Sequence, residues 1–148
     1  MKVLVIDDER EVCDLVGRVL LRAGFDVVTA PAGEVGLGLL QDGGFSCVVV
    51  DKLMPGLGGL EVMAEVRRAW PTLPVVLMTA HPQPFQLGDA QPDVVLLKPF
   101  PTLDAVTDAV SVALENARTG TPLEALRDRV VAVVTDIAPG LKRRGEQD

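Results

Sequence analysis

Phe45-Ser46-Cys47-Val48-Val49-Val50-Asp51 decides the fold. Its apolar run is continuous rather than alternating, so the strand must be covered on both faces, the habit of parallel sheets flanked by helices. Upstream, residues 32–41 carry helical apolar spacing at Val35 and Leu39, yet Gly33, Gly36 and Gly38 each cost about 1 kcal/mol against Ala, predicting a weak helix. Residues 25–29 read as a strand. Residues 9–23 read as a helix, with Val12, Leu15, Val16, Val19, Leu20 and Ala23 at helical intervals and Gly24 to stop it. Residues 3–6 form another buried strand.

Downstream of Asp51 comes the loop Met54-Pro55-Gly56-Leu57-Gly58-Gly59. Leu60, Met63, Ala64 and Arg67 then space a helix over residues 60–70, ended by Pro71 and Pro74. Residues 75–79 read as a fourth strand and 93–97 as a fifth. Between them Pro82, Pro84, Gly88 and Pro92 oppose a long helix. Leu103, Val106, Val110, Ala113, Leu114 and Ala117 mark an amphipathic helix, which Arg118-Thr119-Gly120-Thr121-Pro122 breaks.

Strands and helices thus alternate. The pattern predicts an α/β fold: a doubly wound, five-stranded parallel sheet with right-handed crossovers. Such sheets bind ligands beyond the carboxyl ends of their strands. Polar residues gather there: Asp7 and Asp8 follow the first strand, Asp51 ends the third, Thr79 ends the fourth and Lys98 ends the fifth. Taken singly, Thr79 reads as a strand-end hydroxyl, Lys98 as a surface lysine and Asp7-Asp8-Glu9 as an acidic helix start. Together they put three carboxylates, a hydroxyl and an ammonium on one rim. Fold stability does not call for this, because like charges that close disfavour one another.

Three carboxylates without His or Cys are hard oxygen donors, suited to Mg²⁺ or Mn²⁺ rather than zinc. Mg²⁺ commonly pairs with phosphate, Lys98 can neutralise a phosphoryl oxygen, and a charge-balanced carboxylate can act as a nucleophile. Asp51, central in the sheet, is the candidate. No GxxxxGK[ST] loop is present, which argues against ATP hydrolysis, and adjacent aspartates replace the Asp-x-Asp of haloacid-dehalogenase phosphatases. Cys13 and Cys47 lack CxxC spacing and read as small buried hydrophobes. Trp70 reads as a helix-end packing residue, and Met54, Met63 and Met78 as core fillers.

Four segments recur in one order: Ile6-Asp7-Asp8-Glu9, Asp51-Lys52-Leu53-Met54-Pro55 with Gly59, Thr79-Ala80, and Lys98-Pro99-Phe100. The chain resembles a response-regulator receiver domain of the chemotaxis-receiver type over residues 1–118. The resemblance implies strand order 2-1-3-4-5. It implies Asp51 as phosphoacceptor, with Asp8, Asp51 and the backbone carbonyl of Leu53 as direct Mg²⁺ ligands and Asp7 acting through water. It implies Thr79 as the switch hydroxyl, Lys98 as the phosphoryl ion-pair partner and a cis Lys98-Pro99 bond. The family's aromatic switch position falls on Val95. The short, proline-rich interval from Thr79 to Lys98 predicts a fourth helix that is short, distorted or missing. Leu53 and His81 flank the rim, where they would modulate attack by water on the phosphoryl group.

The full chain has 148 residues, 48% hydrophobic and 3% aromatic with no Tyr, and a formal net charge of −7. Its length suits one domain with an appendage. Residues 1–117 hold 16 acidic and 8 basic side chains, and residues 118–148 hold 5 and 6. An acidic surface argues against phosphate-backbone binding, so no nucleic-acid partner is expected. Lys142-Arg143-Arg144 reads as part of a solvated tail over 138–148. Residues 119–137 read as a linker and an amphipathic helix. That helix has Leu123, Leu126, Val130, Val133 and Ile137 at heptad spacing and either dimerises or packs back on the receiver. No apolar run reaches a membrane span and none resembles a signal peptide, so a cytoplasmic location is expected. The expectation is a stand-alone receiver that takes a phosphoryl group from a histidine kinase or phosphotransfer protein and switches a downstream protein contact. A phosphorylation-independent docking module and a small Mg²⁺-dependent phosphatase stay open as alternatives.

Overall fold

Every strand sends alternate side chains to opposite faces of the sheet, and this period of two sorts the core into two clusters. The computed structural model describes residues 1–80 and 91–119. In chain order these form β1 (Lys2–Ile6), α1 (Arg10–Arg22), β2 (Asp26–Ala30), α2 (Gly33–Gln41), β3 (Phe45–Asp51), α3 (Gly59–Ala69), β4 (Val75–Thr79), β5 (Val94–Leu97) and α4 (Asp104–Thr119). The five strands pair in parallel in the order β2-β1-β3-β4-β5. Fold class and strand order are as the sequence and its resemblance imply.

Val3 and Val5 of β1 and Cys47 and Val49 of β3 join Val16 and Leu20 of α1 and Val106 and Val110 of α4 in one buried cluster. Leu4, Ile6, Val48 and Val50 face the other way and pack with Leu40 of α2 and Val62, Met63 and Val66 of α3. Both faces of β1 and β3 are therefore apolar, which explains their unbroken hydrophobic runs.

Some expected stripes are turned. Val35 is 47% exposed and Leu15 is 37% exposed. The buried face of α2 is instead Gly33, Gly36 and Leu40. A Cβ on Gly36 would run into the side chain of Ile6, and one on Gly33 would lie 2.7 Å from Val62 Cγ2 and 2.9 Å from the Leu57 carbonyl oxygen. The glycines lower the helix's intrinsic propensity but let it approach the sheet and α3 closely. The apolar spacing read at Val35 missed this, because a glycine face carries no hydrophobic signal.

Arg67 closes the amino-terminal end of β4 and β5. It donates to the carbonyls of Leu73 (2.9 Å) and Gln91 (2.7 Å) and to Asp93 Oδ2 (2.8 Å), which also accepts the Val75 N–H at 2.7 Å. Cys13 and Cys47 are free and buried. No helix among the described residues is long and apolar enough to cross a membrane. The distorted helix expected between the fourth and fifth strands, His81, the 122–137 helix and the tail lie outside the described residues.

Candidate functional site

The parallel register brings the strand ends level. Asp7 follows β1 and its N–H continues the ladder to the Ala30 carbonyl (3.1 Å), while the Lys98 N–H does the same to the Thr79 carbonyl (2.9 Å). Asp51 ends β3 opposite Met78 of β4. Lys98 leads into a cis peptide bond with Pro99, as the resemblance implies. Three strands thereby deliver Asp7, Asp51 and Lys98 to one place.

The Lys98 ammonium donates to Asp7 Oδ2 at 2.7 Å and pairs with Asp51 Oδ1 at 3.0 Å. The Asp7 side chain is fully buried, and its other oxygen accepts the Glu9 N–H at 2.9 Å. Both oxygens of Asp7 are therefore engaged by the protein. Asp8 beside it is exposed. The Asp51 side chain keeps only 10% of its surface. One carboxylate oxygen from each of Asp7, Asp8 and Asp51 lies within 4.8 Å of the other two.

Burial pushes the Asp51 carboxyl above its ordinary value; the Lys98 hydrogen bond opposes this, and the Asp7 and Asp8 charges add to it. Burial pulls the Lys98 ammonium down, but hydrogen bonds and charge from Asp7 and Asp51 outweigh it, so the group is held above its ordinary value. The Lys98 ammonium pairs with two carboxylates, Asp7 and Asp51, and a third, that of Asp8, lies within 4.8 Å of both. The donor set is all hard oxygen, so its chemistry fits a divalent cation of the Mg²⁺ class.

The remaining sequence candidates divide. Thr79 is buried at the end of β4. Leu53 lies two residues past Asp51 with 68% of its surface exposed. Val95 pairs with Leu77 two residues before Thr79 and Leu97, so it is buried in the strand rather than on the charged rim. Two supporting features escaped the sequence reading. A Cβ on Gly59, at the start of α3, would collide with the Asp51 carbonyl oxygen, so the helix rests directly on the phosphoryl-acceptor candidate's backbone. Glu34 of α2 accepts the Leu57 N–H at 3.2 Å across 23 residues, a contact that no local pattern signals.

Residues 3–111 match the response regulator receiver domain family. The transcriptional regulatory protein GlrR of Escherichia coli K12 is 33% identical over 131 residues, covering 86% of this chain and 29% of that protein. FixJ of Bradyrhizobium diazoefficiens is 30% identical over 143 residues, covering 93% of this chain and 68% of that protein. The chain spans under a third of GlrR's length. Among solved structures, the chemotaxis response regulator CheY4 of Vibrio cholerae superposes with a TM-score of 0.71 at 28% identity, covering 76% of this chain and 98% of that one. TrrA of Thermotoga maritima, solved in complex with Mg²⁺-BeF, has a TM-score of 0.67 at 29% identity, covering 74% and 96%.

Proposed function

Because this chain belongs to the response regulator receiver family of two-component signal transduction, we propose that Asp51 is its phosphoacceptor, charged by a histidine kinase or phosphotransfer protein in the presence of Mg²⁺. The family is a phosphoacceptor switch rather than a turnover enzyme. The observation that supports the reading best is the meeting of Asp7, Asp8 and Asp51 within 4.8 Å, with the Lys98 ammonium on Asp7 and Asp51.

Asp8 and Asp51, with the Leu53 carbonyl, would hold the metal directly. Asp7 would act through water, since Glu9 and Lys98 already occupy both its oxygens. A bound divalent ion supplies charge neutralisation for the phosphoryl oxygens. The chain's own residues do the rest. A carboxylate oxygen of Asp51 bonds to phosphorus as the phosphorus–nitrogen bond of a phosphohistidine donor breaks, leaving the electron pair on the imidazole. Lys98 offers its ammonium to the transferred group, and Thr79 offers its hydroxyl to another phosphoryl oxygen. The added negative charge draws Lys98 from its apo partners and biases the Thr79 and Lys98 elements toward an active arrangement. With Val95 at the aromatic position, that bias runs without a swinging ring.

Apolar Leu53 would hinder attack by water on the phosphoryl group, and His81 would modulate it. The downstream partner is a protein, and a cytoplasmic location belongs to the same reading. Several relatives bear the name of transcriptional regulatory proteins, and the acidic excess of residues 1–117 disfavours nucleic-acid contact by those residues alone.

Incubation with Mg²⁺ and acetyl phosphate, followed by intact-mass measurement, tests the reading. A stoichiometric phosphoryl adduct that vanishes in Asp51→Asn is expected. Absence of an adduct with any small donor or kinase would favour a docking module that needs no phosphorylation, and repeated turnover of phosphoesters would favour a phosphatase.

A further inference from the structure

The loop between Asp51 and α3 contributes a proposed metal ligand, yet it is anchored from an element outside the site. Glu34 sits in the first turn of α2 and its Oε1 accepts the Leu57 N–H at 3.2 Å. The same oxygen lies 3.3 Å from where a Cβ on Gly56 would stand, and Gly56 has a left-handed φ of 74°. A side chain at position 56 would thus be strained and would crowd the carboxylate. One residue earlier on α2, Gly33 lets the helix backbone close on the other polar group of Leu57, with its carbonyl oxygen 2.9 Å from the missing Cβ. Helix α2 therefore meets both the N–H and the carbonyl of Leu57, four residues after Leu53.

We propose that Glu34 is a positioning residue for the metal-binding loop. By holding the Leu57 N–H it fixes the 53–57 loop, so that the Leu53 carbonyl is presented to a divalent cation without reorganisation. This rests on the reading of Asp51 as a Mg²⁺-dependent phosphoacceptor. The glutamate acts through the backbone and touches neither the ion nor the phosphoryl group. Its acceptor oxygen matters rather than its charge, so glutamine at this position can do the same work.

Mg²⁺ titrations of the full chain, followed by amide chemical shifts, separate the possibilities for wild type, Glu34→Ala and Glu34→Gln. Thermal melting without Mg²⁺ is recorded beside them. Loss of one exposed hydrogen bond predicts Mg²⁺ affinity weaker by about three- to ten-fold in Glu34→Ala. Glu34→Gln is expected to stay within about two-fold of wild type, and the metal-free melting temperatures of all three to stay close. Wild-type binding with Glu34→Ala unaltered overturns the proposal alone. So does an equal loss in both variants, which would make the effect one of charge, or a loss that merely tracks a lowered melting temperature. A wild-type protein indifferent to Mg²⁺ removes the phosphoacceptor reading and this proposal with it.

Discussion

Asp7, whose side chain has no exposed surface, accepts a 2.7 Å hydrogen bond from Lys98, 91 residues away in the chain. The pair ties the end of β1 to the end of β5, across a sheet in which β3 and β4 intervene. A buried ion pair is weak evidence for net stabilisation, but removal of one partner leaves an uncompensated charge. Lys98→Ala is therefore expected to cost about 3 kcal/mol in urea unfolding and to abolish phosphoryl transfer. Stability within error of wild type would show that Asp7 is not dependent on the lysine.

Asp51 gives the opposite sign. Burial, with the Asp7 and Asp8 charges, raises its folded-state pKa despite the Lys98 hydrogen bond. A carboxyl raised on folding contributes stability that is present below its unfolded pKa and lost as pH rises through the folded one. At neutral pH the charged Asp51 thus opposes folding. Asp51→Asn is expected to stabilise the protein at pH 7, with the gain shrinking as pH falls into the ordinary carboxylate range. Urea denaturation of both proteins across that range checks it; a gain that grows toward acid would reverse the sign.

Gly59 tests how closely α3 must sit on the proposed acceptor, Asp51. The missing Cβ would overlap the Asp51 carbonyl and lie 2.8 Å from the Lys52 Cα. Gly59→Ala must displace the helix or the strand end, at a cost of about 1–3 kcal/mol for an overpacked contact. Slower acetyl phosphate labelling of the folded variant is expected as well. Unchanged labelling would mean that the strand end absorbs the shift.

Arg67 separates stability from chemistry. It serves Asp93 and the Leu73 and Gln91 carbonyls at the end of the sheet away from Asp51. Arg67→Ala is expected to lose about 3 kcal/mol in urea unfolding, because Asp93 remains buried without its cation. The extent of Asp51 labelling, measured by intact mass under folding conditions, should be retained.

The sheet was legible because Val48-Val49-Val50 and its neighbours have no polar face, and because each polar rim residue ends or directly follows a strand. Period and punctuation suffice for that. The rim was legible as a set for the same reason, since strand ends in a parallel sheet converge whatever the loops do. What stayed hidden depends on contacts between distant residues. The glycines of α2 looked like weakness because a sequence does not show Ile6 or Leu57 lying against them. Arg67 looked like one more helical position because Asp93 is 26 residues away. Glu34 drew no reading from the sequence, because local pattern says only that it is an acid in a helix's first turn.

The central claim is that Asp7, Asp8 and Asp51 form a hard-cation site beside Lys98. Titration of the protein with Mg²⁺, followed by backbone amide shifts, tests it most directly. Saturable one-to-one binding is predicted, with the largest changes around Asp7, Asp51 and Lys98, lost in Asp8→Asn and Asp51→Asn and weakened as acid protonates the raised Asp51 carboxyl. A spectrum that does not respond to millimolar Mg²⁺, or one whose response survives both substitutions, would contradict it.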